Sequence, residues 1–207
     1  MNTIKLYRHT LSGHSHRAQL FLSLLGINAE LINVDLASGE HKQPAFLAKN
    51  SLGQVPVLED GDAVIADSNA ILVYLAGKHD SNNSWLPSDV IACAEVQRFL
   101  SLAAGPLAQG PATARLINVF GANLDRERAI EVSHNYLSAL EAHLQTRDWL
   151  VGNTPTIADV ANYSYTAHAP EGDVSLQAYT NVRAWLNRNE ALPGFVPMQT
   201  SAVGLAA

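Results

Sequence analysis

The sequence predicts an α/β domain of order βαβ-α-ββα followed by an all-α domain. Short apolar runs alternate with one-sided helical patterns over the first 80 residues. A polar stretch, Asp80-Ser-Asn-Asn-Ser84, interrupts that alternation, and strand signals largely vanish beyond it. The expected partition is 1–80 for the α/β domain, 81–88 for a linker and 89–207 for the helical domain.

Each element has its own signal. Ile4 to Arg8 reads as a strand. After Gly13 the period changes, and Ala18, Phe21, Leu22 and Leu25 fall on one helical face that Gly26 closes. Leu31 to Val34 is a second strand, which completes a βαβ unit. Pro44 to Lys49 suits a short helix with proline in its first turn. Val55–Leu58 and Ala63–Ala66 are strands joined by the hairpin signal Asp60-Gly61. Ile71, Leu72 and Leu75 mark the next helix. In the second half, Ile130, Leu137, Leu140 and Leu144 predict a helix within 125–146. Thr156-x-x-Asp159 before an apolar run is a capping arrangement, with Asp in the place of the usual Glu. Gln177 to Glu190 is a last helix, stopped by Leu192-Pro193-Gly194.

Bulk composition narrows the function. Hydrophobic residues make up 47% of the 207 positions and charged residues 15%, enough to bury a sizeable core. A net charge of -6 argues against a nucleic-acid binder. The single cysteine, Cys93, can form neither an intrachain disulfide nor a cysteine metal site, which suggests a reducing compartment. The N-terminus has no signal-peptide pattern, and no run reaches the roughly 20 apolar residues of a membrane span. A cytoplasmic protein with no membrane partner is expected.

Four elements of the first domain carry chemistry. Ser12-Gly13-His14-Ser15-His16-Arg17 lies between strand and helix, where free amides and the helix dipole favour an anion and a hydroxyl can stabilise a thiolate. Gly39-Glu40-His41-Lys42 offers two neighbouring donors for a carboxylate. Gln54-Val55-Pro56-Val57 sets a proline within an apolar run, which fits either a cis bond near a ligand or an edge strand. Asp67-Ser68 begins a helix and could receive an ammonium and a carboxylate. Taken singly, each has a structural explanation: a turn, a solvated loop, an edge strand, a helix cap. His14-x-His16 lacks a third clear ligand, so no metal is expected.

In order and spacing, however, Ser12, the GEHK stretch at 39–42, Gln-Val-Pro at 54–56 and Asp-Ser at 67–68 resemble the glutathione S-transferases. The run from Gly39 to Leu72 is especially similar to serine-type branches such as phi and theta. The likeness continues through Trp85-Leu-Pro87, the Thr-x-x-Asp box and the final helix to Phe195. It implies a thioredoxin-like first domain and a helical second domain with an electrophile-binding wall. It implies glutathione as co-substrate, a small hydrophobic electrophile as its partner, and a homodimer. By the same resemblance Ser12 would stabilise the glutathione thiolate, and His41 and Lys42 would hold the glycyl carboxylate. Gln54 and Val55 would bond the tripeptide backbone ahead of a cis Pro56, and Asp67 and Ser68 would hold the γ-glutamyl end. Asp67 stands where many members carry Glu, and the 12–16 turn is unlike the common branches, so Thr10, His14 and Ser15 remain alternatives for the thiol contact. The wall is expected within 102–120, around Gly105-Pro106, Gly110-Pro111 and Arg115.

Overall fold

The computed structural model describes residues 3–201, which divide into two compact units, one of residues 3–83 with 193–199 and one of residues 84–192 with 200–201. In the first unit, β1 (Ile4–Arg8), β2 (Ala29–Asn33), β3 (Val57–Asp60) and β4 (Ala63–Ala66) form one sheet in the order β2-β1-β3-β4. β1 and β2 are parallel, with α1 (Gly13–Leu24) as the crossover, whereas β3 is antiparallel to both of its neighbours. The central strands are the buried ones: Leu6, Val57 and Leu58 are fully enclosed, while β2 and β4 leave Leu31 and Val64 partly exposed.

Local chemistry sets the ends of these elements. Gly26 takes the left-handed backbone at φ 67, and bonds from Gly26 N to Ser23 O and from Ile27 N to Leu22 O close α1 in a Schellman arrangement. Gly61, at φ 63, makes the turn of the β3–β4 hairpin. β3 begins at Val57 rather than at Val55, because Pro56 has no amide to donate to a ladder. The short helix α2 (Pro44–Leu47) and α3 (Ser68–His79) complete the unit. α3 buries Ile71, Leu72, Leu75 and Ala76, and packs against α1, which buries Ala18, Leu20, Phe21 and Leu22.

Sequence reasoning assigned all of 89–207 to the helical part, yet Pro193–Gln199 cluster with the first unit. Val196 O lies 2.8 Å from His16 Nε2 on α1. A Cβ on Gly194 would come within 2.7 Å of Ser23 O, so the backbone approach there requires glycine.

The second unit contains α4 (Val90–Ala104), α5 (Thr113–Phe120), α6 (Arg126–His143), α7 (Ile157–Ala167) and α8 (Thr180–Glu190). A π turn at Ala108–Ala112 separates α4 from α5 and contains Pro111, which has no amide for a regular helix. α7 is the central helix, buried from Ile157 through Thr166. Asn162 on α7 donates to Phe99 O on α4 at 3.1 Å and accepts from Tyr136 on α6 at 3.0 Å, linking three helices through one amide. α8 starts at Thr180, later than the sequence reading, and it borrows its cap. Glu141 on α6 accepts from the amides of Asn181 and Val182 at 2.9–3.0 Å.

One sequence expectation needs correcting. The continuous run Val90–Phe120 is, by length and composition alone, long and apolar enough to cross a membrane. Its apolar residues include a packed set, with Val96, Phe99, Leu100, Ala103, Leu107, Ala112 and Ala114 buried in the protein. Arg115 is buried in an ion pair, and Glu95 pairs with Arg98 along the same run. The run thus contributes buried residues to this unit, with a π turn at Ala108–Ala112 within it.

The predicted capping box is present. Thr156 Oγ1 accepts from Ala158 N at 3.2 Å, and Asp159 accepts from Thr156 N at 2.9 Å, Leu150 N at 3.0 Å and Trp185 Nε1 at 2.8 Å. Asp159 thus fixes the start of α7, the preceding loop and α8 at one buried point. Thr156→Ala should cost about 1–2 kcal/mol through loss of the cap. Asp159→Asn should cost more, about 2–4 kcal/mol, because one acceptor oxygen becomes a donor facing N–H groups. Urea unfolding midpoints at unchanged m-value check both, and an Asp159→Asn protein as stable as the parent would remove this carboxylate as an anchor.

Candidate functional site

The sheet register brings the four candidate elements to one end of the first unit. Tyr7 pairs with Val57 and Val57 with Ala66, so the end of β1, the start of β3 and the end of β4 lie side by side. Arg8 pairs with Asn33, which sets the end of β2 beside them. From that edge leave residues 9–12, 54–56 and 67–68, and the chain after β2 leads into a 3-10 turn at Glu40–Lys42. Beneath them a small apolar cluster of Val34, Phe46 and Val57 is completed by Tyr7, Leu36, Val55 and Ala66.

Ser12 is the N-cap of α1, with extended backbone, and its Oγ accepts from Ser15 N at 3.2 Å. A hydroxyl that accepts still has its own proton to donate. Ser15 is buried, and its Oγ accepts from His9 N at 3.1 Å, which ties the turn back toward β1. Thr10 is half-buried in the same turn. The two histidines part company: His16 turns to Val196 O, while His14 turns to Ser68. Among the described residues no group of three or more His, Cys, Asp or Glu could hold a metal ion.

His14 belongs to a polar cluster that sequence reasoning missed. Arg17, only 1% exposed, donates from one nitrogen to Ser68 Oγ and to Asn69 Oδ1, both at 2.8 Å. Ser68 Oγ lies 3.0 Å from His14 Nδ1, and Arg17 lies 3.4 Å from the same nitrogen. Arg17 can only donate, so Nδ1 is an acceptor and the neutral ring carries its proton on Nε2. Ser68 Oγ then accepts from Arg17 and donates to His14 Nδ1, leaving the Ser68 amide, at the first position of α3, as the group it can offer an anion. Burial, with the Arg17 charge beside it, pushes the His14 pKa down to about 3. The available signal was an arginine next to the apolar face of a predicted helix.

Asp67 caps α3 as the plain reading expected: one carboxylate oxygen accepts from Asn69 N at 2.8 Å and Ala70 N at 3.0 Å. Its backbone, at φ 75, is in the region that side chains rarely adopt. Such an outlier at a sheet edge is a mark of functional sites. Its second oxygen remains an acceptor.

The 39–42 and 50–56 segments are braced together. Gly39 (φ 78) opens the 3-10 turn, and Glu40 folds back to accept from Asp35 N at 2.7 Å. Glu40 is therefore a structural member of the group. Lys42 Nζ donates to Leu52 O at 3.2 Å and Gly53 O at 3.1 Å. From the inner side Asn50 donates to Gln54 O at 2.8 Å and accepts from Leu52 N at 3.1 Å. His41 Nδ1 is buried with no hydrogen-bond partner among the described residues. The Val55-Pro56 peptide is cis.

In the second unit the wall candidates divide. A Cβ on Gly110 would meet Ser133 N at 2.7 Å, so Gly110 serves a close crossing with α6. The Arg115 guanidinium is buried against Glu171, which corrects its placement in a ligand wall. On α5 and just beyond it, Leu116, Phe120 and Leu124 are 41–50% exposed.

A βαβ-α-ββα sheet with a cis proline before its third strand, followed by a helical unit, defines the class as a thioredoxin-like domain joined to an all-α domain. Residues 2–77 match the family model described as "Glutathione S-transferase, N-terminal domain", and residues 113–193 match "Glutathione S-transferase, C-terminal domain". "Glutathione S-transferase 3" of Zea mays is 32% identical, over 94% of this chain and 92% of its own length. A crystal structure of a glutathione S-transferase from Pseudomonas fluorescens is 33% identical with TM-score 0.88, covering 96% of this chain and 100% of that one. A glutathione transferase homolog from Drosophila mojavensis, with bound glutathione, is 30% identical with TM-score 0.85, covering 93% and 90%. The chain belongs to the glutathione S-transferase family.

Neutral His14 makes a direct prediction. As pH falls from 6.5 toward about 3 the unfolded chain takes up a proton that the folded chain does not. His14 therefore lowers stability progressively over that range. In histidine NMR spectra its ring should show no titration between pH 5 and 8, and a midpoint above 5 would contradict the cluster described here.

Proposed function

We propose that the chain is a glutathione transferase of the serine type, in which the thiol of bound glutathione attacks a small hydrophobic electrophile. The observation that carries this reading is the convergence of four complementary elements on one sheet edge. Glutathione has two carboxylates, one ammonium, two amides and a thiol, and each finds a chemical counterpart there. Lys42, with its third N–H, and His41, with its unpartnered Nδ1, take the glycyl carboxylate. The backbone of Gln54 and Val55, before cis Pro56, bonds the tripeptide. The free oxygen of Asp67 receives the γ-glutamyl ammonium, and the Ser68 amide receives its carboxylate.

Ser12 then faces the thiol. A thiol with a pKa near ~8.5 is only slightly ionised at neutral pH, so a donor at a helix N-terminus raises the reactive fraction. Ser12 suits the role because its proton is uncommitted by the bond it accepts, whereas Ser15 is buried and His14 is turned into the Arg17 cluster. The thiolate forms the C–S bond, the leaving group departs with its electron pair, and the thiol proton goes to solvent.

The first test is calorimetry with reduced glutathione, followed by turnover with aryl halides, epoxides, organic peroxides and disulfides. Ser12→Ala removes a hydrogen bond to a charged group, so the bound thiol pKa should rise by roughly 1–2 units. Turnover near neutral pH should fall about tenfold or more and recover partly at higher pH. The readout is the pH profile of kcat/KM beside thiolate absorbance, and an unchanged profile would make Ser12 only a cap.

A closed two-fold homodimer is part of the same proposal, supported by the strong exposure of Leu52, Val90 and Ile91 at 70–80%. Light scattering at micromolar concentration should give twice the chain mass of 22.2 kDa, and the mass of a single chain would contradict the dimer.

A further inference from the structure

The turn at residues 50–54 has a glycine whose missing side chain is occupied by the lysine of another segment. Gly53 sits at φ +58, in the left-handed region. A Cβ built there would lie 2.7 Å from His41 O and 3.0 Å from both Cδ and Nζ of Lys42. The first of these contacts is with backbone, so it cannot be relieved by a side-chain rotation. In the space that the glycine leaves, Lys42 crosses the turn and donates to the carbonyls of Leu52 and Gly53.

We propose that Gly53 is a positioning residue for the glycyl end of glutathione, acting through Lys42 and His41. The inference rests on the assignment of those two residues to the glycyl carboxylate. An ammonium has three donors on a flexible stem. Two of them are fixed here by carbonyls one residue apart, which holds Lys42 in one place and aims the third N–H at one spot. An exposed lysine would otherwise lose considerable rotamer entropy on binding an anion, so fixing it beforehand strengthens the contact. The same close approach seats the His41 carbonyl against Gly53, so the backbone that carries His41 and Lys42 packs directly on this glycine. Asn50 holds the opposite side of the turn through Gln54 O and Leu52 N, so the turn is a rigid support.

The test compares glutathione with γ-glutamylcysteine, which lacks the glycyl residue. Gly53→Ala should raise the Kd and KM for glutathione roughly tenfold, as expected for loss of a charge-assisted hydrogen bond, with kcat at saturation changing less than about twofold. Its affinity for γ-glutamylcysteine should stay within about twofold of the parent, because that ligand makes no use of the glycyl donors. Lys42→Met should show the same selective loss, and the double variant should bind no worse than about twofold below the weaker single. Gly53→Asn separates contact from strain, since Asn adopts the left-handed backbone more readily while still carrying a Cβ. It also serves if Gly53→Ala folds poorly, and it should reproduce the selective loss. Equal weakening of both ligands, or independent and additive effects of Gly53 and Lys42, would overturn the inference. Failure of the parent protein to bind glutathione at all would instead remove the site assignment on which it rests.

Discussion

A guanidinium taken out of water is what the first unit is arranged around. Arg17 is on α1, and its acceptors Ser68 and Asn69 begin α3, more than fifty positions later. Burying such a charge is unfavourable unless hydrogen bonds compensate it. The two bonds from one Arg17 nitrogen to Ser68 and Asn69 fix the start of α3 against the first turns of α1. The two helix N-termini are thereby held as neighbours at the same sheet edge. His14 completes the arrangement by accepting a hydrogen bond from the Ser68 hydroxyl at Nδ1, which is possible only while that nitrogen is unprotonated.

Seen from that constraint, capping and ligand binding are not competing explanations of Asp67 and Ser12. Each side chain caps its helix through one oxygen, and the cap holds the second oxygen of Asp67 and the hydroxyl of Ser12 in place. The left-handed backbone of Asp67 is strained for a non-glycine residue and is retained by the helix cap and the Arg17 cluster that directly follow it. Lys42 follows the same logic, with two donors committed to carbonyls and one left over.

The parts of the fold that rest on period and local chemistry were legible in the sequence. β1, α1, the β3–β4 hairpin, α3 and the Thr156–Asp159 box all announced themselves through spacing, glycine or caps. Strand ends were less legible: β2 is shifted to Ala29–Asn33 because pairing with β1, not hydrophobicity, sets its limits. α8 was drawn too early because its cap, Glu141, comes from another helix and leaves no mark nearby. Side chains linked over long sequence separations stayed hidden for the same reason. Arg17 and Ser68 give no joint signal in one sequence, and neither do Arg115 and Glu171. The placement of Arg115 in a ligand wall failed because a charged residue near Gly-Pro pairs looks exposed in sequence, whereas its partner lies 56 positions away.

The second unit solves a different problem with similar means. Its central helix α7 carries Asp159, Asn162, Ser164 and Thr166 among its buried residues, an unusual load of polar groups for a core. Each is useful because apolar packing alone is non-directional and tolerates sliding, whereas a satisfied buried hydrogen bond specifies one register. Glu171 extends this principle to the segment at Ser201. Burial alone would raise its carboxyl pKa, but hydrogen bonds from the Ser201 amide, His168 and Arg115 bring it below the ordinary value. An ionised Glu171 therefore joins α5, the turn after α7 and the returning chain at Ser201. With Arg115 committed to that junction, Leu116, Phe120 and Leu124 are left as the uncovered apolar side of the same segment. Anchoring one face of a short helix by an ion pair frees its other face to vary in size and shape, since its position no longer depends on what that face packs against.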